Sequence, residues 1–276
     1  MMCSLARLFR LRLALLNGVA AIGGAVLFPV PTGAGQLWMV FSGVVLLAAG
    51  GSAINQALEH DRDRLMVRTR LRPVAVGLIS PAVATLIGTA VVIAGIIVAG
   101  AAGGVMPALV GTCALLWYLA IYTPLKRRTP YALAAGALCG ALPPIIGWCS
   151  AGGNILDYRI LLLAGLLYLW QIPHFWLFQR RYADDYRAAG FPLLAAATRD
   201  AGFPGLFGLW IGALITASML LPAFGLISQG SALWYALLPL PLIVMTLLRS
   251  EQALFSYLNL FPLLVTLMLM SQNHHF

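Results

Sequence analysis

Charge is what this 276-residue sequence has least of: Asp, Glu, Lys and Arg together make up 9% of it, and only eight residues are acidic. That scarcity excludes an ordinary soluble domain, in which about a quarter of the residues are charged. Cysteine is sparse too, four residues without a CxxC pair, so neither a disulfide framework nor a zinc site is written here. Cys113, Cys139 and Cys149 fall in apolar stretches and are expected to be small packing residues. Low-complexity tracts and any soluble domain are also missing. The net charge of +9 does not imply a nucleic-acid partner, because the cations are divided among short segments beside apolar runs rather than gathered on one soluble face.

What is present is apolar: 61% of residues are hydrophobic and the mean hydropathy is +0.92. Runs of about 20 apolar residues, enough to cross a bilayer, can be laid at 13–31, 37–57, 80–100, 104–123, 131–150, 159–178, 203–224, 232–248 and 254–270. The expectation is an all-α polytopic membrane protein of about nine transmembrane helices, with residues 1–276 forming a single integral-membrane domain. The eighth run holds Pro239 and Pro241, which kink or break a span. The basic start before the first run mimics a signal peptide, but a retained helix is expected.

Every Lys and Arg except Arg159 lies in the N-terminal tail or in the loops after the second, fourth, sixth and eighth runs. Basic residues favour cytoplasmic loops, so the N-terminus is expected inside and the C-terminus, ending His274, His275, Phe276, outside. Arg7, Arg10, Arg12 and Arg249 are expected to orient helices and meet anionic headgroups of the lipid bilayer. Six of the eight acidic residues fall in two inside segments, Glu59, Asp61 and Asp63 in one, Asp184, Asp185 and Asp200 in the other.

In the first segment Asn55, Glu59 and Asp63 stand at i, i+4 and i+8, which on a helix stacks an amide and two carboxylates on one face. Mg²⁺ takes oxygen ligands and is commonly held by one or two carboxylates together with substrate phosphates, and Arg68 and Arg72 just beyond suit a phosphorylated ligand. Ionisable groups at a span end point to function; the plainer alternative is surface pairing with Arg62 or Arg64. Asp61, about 200° from Asp63 around an ideal helix, is expected in solvent. In the second segment, RRYADDYRAAGFP, Asp185 is the preferred ligand for a second metal and Asp184 the weaker choice, against local pairing with neighbouring arginines. Between them, the basic run Lys126, Arg127, Arg128 is either a topology signal or, through Lys126, part of a site that neutralises a diphosphate. His174, among aromatics in WQIPHFW, is either a helix-packing residue or a substrate ligand.

Whole phrases resemble the UbiA superfamily of intramembrane prenyltransferases, in its protoheme IX farnesyltransferase branch. They are Asn55-x3-Glu59-x3-Asp63-x2-Met66-x-Arg68-Thr69-x2-Arg72-Pro73; Tyr122-Thr123 with Lys126-Arg127-Arg128-Thr129-Pro130; Pro143-Pro144-x2-Gly147-Trp148; Pro173-His174-Phe175-Trp176; and Asp184-Asp185-Tyr186-x3-Gly190-x-Pro192. The likeness covers roughly residues 10 to 192. Glu59 stands where Asp is common, Arg10-Leu11-Arg12 where Lys-Pro is frequent, and LLAAATRD follows Pro192 in place of Leu-Pro-Val. The resemblance implies a helix bundle around a central apolar chamber. It also implies transfer of a farnesyl group from farnesyl diphosphate to a vinyl group of protoheme IX, giving heme O and diphosphate. Two Mg²⁺ ions would be held by Asn55, Glu59, Asp63 and Asp185, with Asp184 second, and the diphosphate by Arg68, Arg72, Lys126 and Arg127. Tyr118, Tyr122 and Trp170 would line the chamber, and His174, Tyr122 and Trp170 would bind the acceptor. A bacterial inner membrane and a transfer partner in terminal oxidase assembly are further expectations. Two alternatives stay open: prenylation of an aromatic or quinone precursor, and a transporter of a cation or phosphorylated lipid. Transport expects ionisable groups near the midplane, whereas here they gather on one side.

Overall fold

The structure, a computed structural model, describes residues 2–194 and 205–272. Asp200 and the C-terminal His274, His275 and Phe276 lie outside the described residues. Helices α1 (Met2–Leu8), α2 (Leu11–Val26), α3 (Ala34–Asp63), α4 (Pro81–Gly103), α5 (Val105–Leu116), α6 (Thr123–Leu125), α7 (Ala132–Ser150), α8 (Tyr158–Arg181), α9 (Ala183–Ala188), α10 (Gly205–Ala223), α11 (Gln229–Ala236), α12 (Leu240–Leu247) and α13 (Glu251–Gln272) follow one another, with no strand among the described residues. Among the described residues eight stretches are long and apolar enough to cross a membrane, and α2 is a shorter ninth.

Three of the expected spans are redrawn. The first is only the 16 residues of α2, since Pro29 and Pro31 follow at once and cannot continue a helix. The second runs on for 30 residues, about 45 Å at 1.5 Å per residue, well beyond a hydrocarbon core of about 30 Å; its last turns carry the polar column. The eighth is divided into α11 and α12 by a turn ending at Pro239. At the start of α4, Ser80 is the N-cap, its Oγ 3.3 Å from the Val83 amide, with Pro81 in the first turn, where its missing N–H costs nothing.

Close approach of helices depends on missing side chains. A Cβ on Gly24 of α2 would lie 1.8 Å from the Pro144 carbonyl oxygen, and one on Gly147 of α7 would lie 1.8 Å from that of Ala21. This crossing pinches the bundle shut toward the end of α7 that carries Ser150. At the opposite, polar end, Gln56 Nε2 donates to the Arg7 and Leu8 carbonyls at 2.9 and 2.8 Å. That bond caps α1 and fixes the turn into α2, where Arg10 adopts the left-handed conformation, φ 46°. A left-handed non-glycine residue is uncommon and costs backbone energy.

Candidate active site

Between the pinch and the polar end lies a cavity of about 420 Å³, walled by α2, α3, α5, α7, α8 and α13. The helical column places Asn55, Glu59 and Asp63 on its wall, and all three are at most 2% exposed. The α3 helix supplies the spacing; the charges are tolerated because each has a counter-group. Glu59 Oε2 accepts from Asn55 Nδ2 at 3.1 Å and from Lys126 Nζ. Asp63 accepts at both oxygens from Arg72 Nη1, at 2.8 and 2.7 Å. The Thr123 hydroxyl, with one proton to give, lies 3.0 Å from Asn55 Oδ1 and 2.8 Å from the Tyr118 carbonyl.

The same Tyr118 carbonyl takes the Thr123 backbone N–H, closing a π-helical turn over Trp117–Tyr122, a local widening that often marks functional sites. The turn puts Tyr118 and Tyr122 on the cavity wall, their rings stacked 6.0 Å apart. Lys126 follows, its ammonium 5.7 Å from the Tyr122 ring and 5.5 Å from Phe191. Burial lowers its pKa from the usual lysine value, and Glu59 opposes that shift.

The remaining anticipated residues divide. Arg68, Arg72, Trp170 and His174 line the cavity. Arg68 lies over Phe178 and Tyr182 at 5.0 and 5.4 Å. The His174 ring is sandwiched between Trp170 at 5.1 Å and Phe255 at 5.3 Å, and its Nδ1 is buried without a hydrogen-bond partner. Arg127 stays outside the cavity wall, its Nη2 donating to the Leu58 carbonyl at 2.6 Å and its Nε 3.8 Å from Glu59 Oε1. Asp184 and Asp185 are not brought to the column. Asp184 is exposed and pairs with Arg187 at 2.8 Å. The Asp185 carboxylate accepts from the backbone amides of Val67 and Arg68, at 2.9 and 3.1 Å, tying α9 to the Arg68 loop. Asp61 is exposed.

Arg10, expected to meet headgroups, instead lines the cavity with Asn17 seven residues on. Gln171, Tyr186 and Asn259 also line it and had not been anticipated. Arg10 precedes α2 in a left-handed turn, so no helical spacing in the sequence pointed to its place.

The donor set suits a hard cation. Oxygens of Asn55, Glu59 and Asp63 line one wall, and Glu59 Oε1 is buried with no hydrogen-bond partner. Among the described residues no three His, Cys, Asp or Glu side chains converge as a ready cage. An ion held here would draw further oxygens from a ligand, the habit of Mg²⁺ with phosphates.

Residues 15–259 match the model of the UbiA prenyltransferase family. The protoheme IX farnesyltransferase of Geobacter sulfurreducens is 57% identical over 95% of this chain and 97% of its own. That of Oleidesulfovibrio alaskensis is 40% identical over 80% of this chain and 78% of its own. Among solved structures, the apo form of a UbiA homolog from Aeropyrum pernix superposes with a TM-score of 0.75 at 20% identity, covering 95% of this chain and 98% of that one. A UbiA homolog from Archaeoglobus fulgidus, bound to GPP and Mg²⁺, gives 0.65 at 13% identity, covering 98% of this chain and 99% of that one. At such identities these two establish the shared fold.

Proposed function

The chain belongs to the UbiA prenyltransferase family, and we propose that it transfers a farnesyl group from farnesyl diphosphate to a vinyl group of protoheme IX, giving heme O and diphosphate. The observation that carries the reading is a buried oxygen column, ringed by cations, at the polar end of an otherwise apolar and aromatic cavity. A polyanion fits the first part, and a prenyl chain with a flat apolar acceptor fits the second. The reading also rests on the identity, over nearly the whole length of both chains, to a protoheme IX farnesyltransferase.

Asn55, Glu59 and Asp63 would hold Mg²⁺. Bound with the diphosphate, the ion supplies charge neutralisation that makes diphosphate a good leaving group. Arg68, Arg72 and Lys126 add fixed positive charge around the same oxygens. Breaking the C1–O bond sends its electron pair to the diphosphate and leaves an allylic cation. Tyr118, Tyr122 and Phe178 shield that cation from water and face it with aromatic rings. The vinyl π electrons then form the new C–C bond. Water adds to the resulting cation next to the pyrrole ring, and its released proton passes to diphosphate or solvent. His174, held flat between two rings with a free Nδ1, faces the acceptor. Asp185 acts through the Arg68 loop, which its carboxylate holds at the cavity mouth. The site end would face the cytoplasm of a bacterial inner membrane, the side that basic segments such as those around it favour.

The test is mass spectrometry of heme after incubating the purified protein with protoheme IX, farnesyl diphosphate and Mg²⁺, beside Asp63→Ala. A hydroxyethylfarnesyl adduct that needs both the metal and Asp63 is the expected result. Diphosphate release only with an aromatic acceptor, and no heme adduct, would reassign the acceptor.

A further inference from the structure

We infer that Leu47, with Ile146 beside it, forms the floor of the prenyl channel and limits the chain this protein accepts to three isoprene units. The inference rests on the function proposed above and adds its chain-length determinant.

Counted away from the Glu59 end, the last residues of α3, α5 and α7 to line the cavity are Leu47, Gly111 and Ile146. A Cβ on Gly111 would lie 2.7 Å from Leu47 Cδ1 and 3.8 Å from Ile146 Cδ1, so both side-chain ends rest against that glycine. Leu47 cannot retreat toward α4. There Gly95 sits so near that a Cβ would lie 2.8 Å from the Leu47 nitrogen and 3.0 Å from its Cγ. Both floor side chains are buried, Leu47 at 6% and Ile146 at 3% exposure, and Leu47, Gly111 and Ile146 are all apolar.

Depth follows from helical rise. From Glu59 down to Leu47 the α3 wall descends about 18 Å at ~1.5 Å per residue. With the diphosphate at the Glu59 end, that length takes an extended farnesyl chain and leaves no room for a fourth isoprene unit. The walls above the floor include the small residues Gly51 and Ala114, a lane suited to a linear chain. The polar and aromatic groups Gln171, His174 and Asn259 stand across the cavity on α8 and α13, which leaves that side to the acceptor. Two substrates thus meet beneath the same charged mouth.

The experiment compares geranyl, farnesyl and geranylgeranyl diphosphate as substrates of the full-length protein. Heme adducts and kcat/KM are measured for the wild type and for Leu47→Ala, Leu47→Val and Gly111→Ala. Affinities of the three unreactive S-thiolodiphosphates are measured alongside, which reads the channel without any acceptor. The wild type is expected to prefer farnesyl to geranylgeranyl by at least tenfold, the scale on which a tight apolar pocket rejects extra carbon. Leu47→Ala should shrink that preference at least tenfold while still turning over farnesyl, and Leu47→Val should fall between. Gly111→Ala, which pushes Leu47 into the channel, should shift the preference the other way, toward geranyl. General loss of stability would not move two neighbouring variants in opposite directions.

Equal use of farnesyl and geranylgeranyl by the wild type would mean that the chain leaves sideways between helices, and would overturn the floor. So would unchanged ratios in variants that stay active. Chain-length selectivity in thiolodiphosphate binding without any heme adduct would instead keep the floor and defeat the heme reading.

Discussion

Removing the Asp63 charge and then its partner separates what this ion pair does for folding from what it does for the reaction. Asp63 is 2% exposed at its side chain and Arg72 is 14% exposed, with Nη1 2.7 Å from Oδ2. Breaking a fully buried pair from one side costs about 3–5 kcal/mol, because the surviving charge is stranded. Water still reaches Arg72, so Asp63→Asn should cost less than a fully buried pair would, about 2–3 kcal/mol. In Asp63→Asn with Arg72→Gln no charge is stranded, and most of that loss should return. Activity should behave differently. Asp63 is proposed to hold the metal and Arg72 the leaving group, and losing one preorganised electrostatic group typically costs 10²–10³ in rate, about 2.7–4 kcal/mol. The double variant should therefore be as stable as the wild type to within about 1 kcal/mol yet slower than either single variant. The assays are unfolding in mixed micelles and diphosphate release under single-turnover conditions. A double variant that recovers turnover together with stability would refute the argument and reduce the pair to a structural clasp.

Four further outcomes follow from the same geometry. Because burial lowers the Lys126 pKa, raising the pH should remove its proton below the ordinary lysine value of about 10.4. The kcat/KM profile should then fall on its alkaline side, and Lys126→Arg should abolish that fall; an unchanged limb would clear Lys126 of the role. A Cβ at Gly140 would lie 1.8 Å from Gln171 Nε2, so Gly140→Ala should displace the amide from the Ala137 carbonyl, which it reaches at 3.0 Å. That change should cost about 1 kcal/mol of stability and raise the acceptor KM more than the farnesyl diphosphate KM, measured by varying each substrate. Asp184→Ala should leave turnover within twofold and stability within about 1 kcal/mol, as for any exposed pair, whereas Asp185→Ala, which unties Val67 and Arg68, should lower turnover; the reverse order in side-by-side assays would return the metal to Asp184. Cations outnumber carboxylates on the cavity wall, Arg10, Arg68, Arg72 and Lys126 against Glu59 and Asp63. Mg²⁺ alone should therefore bind weakly and tighten with diphosphate present, and calorimetry showing tight binding of the bare ion would contradict this charge balance.

Much of the architecture was legible because each span advertises itself by length. The errors came where length and hydropathy are weak guides. The first span stopped early because Pro29 and Pro31 end the helix, and the second ran on because Gln56, Glu59 and Asp63, polar enough to look like loop, find partners inside the bundle. The π-helical turn had no sequence signature of its own. It shows only as a wider turn in which the Tyr118 carbonyl takes the Thr123 backbone N–H and also lies 2.8 Å from the Thr123 hydroxyl.

The candidate site was half legible, and the dividing line is physical. Asn55, Glu59 and Asp63 could be placed together because a helix fixes the relation of i, i+4 and i+8 without help from the rest of the fold. Arg10 and Asp185 could not, because their roles depend on where a turn points. A left-handed turn after α1 aims Arg10 into the cavity rather than toward headgroups, at a backbone cost that the Gln56 bonds to the Arg7 and Leu8 carbonyls help to hold in place. Asp185 meets two amides more than a hundred residues away in sequence, and no local pattern encodes that meeting. A basic residue beside a span reads as topology until the backbone around it is seen to be strained, and strain kept at a cavity wall is the better guide to function.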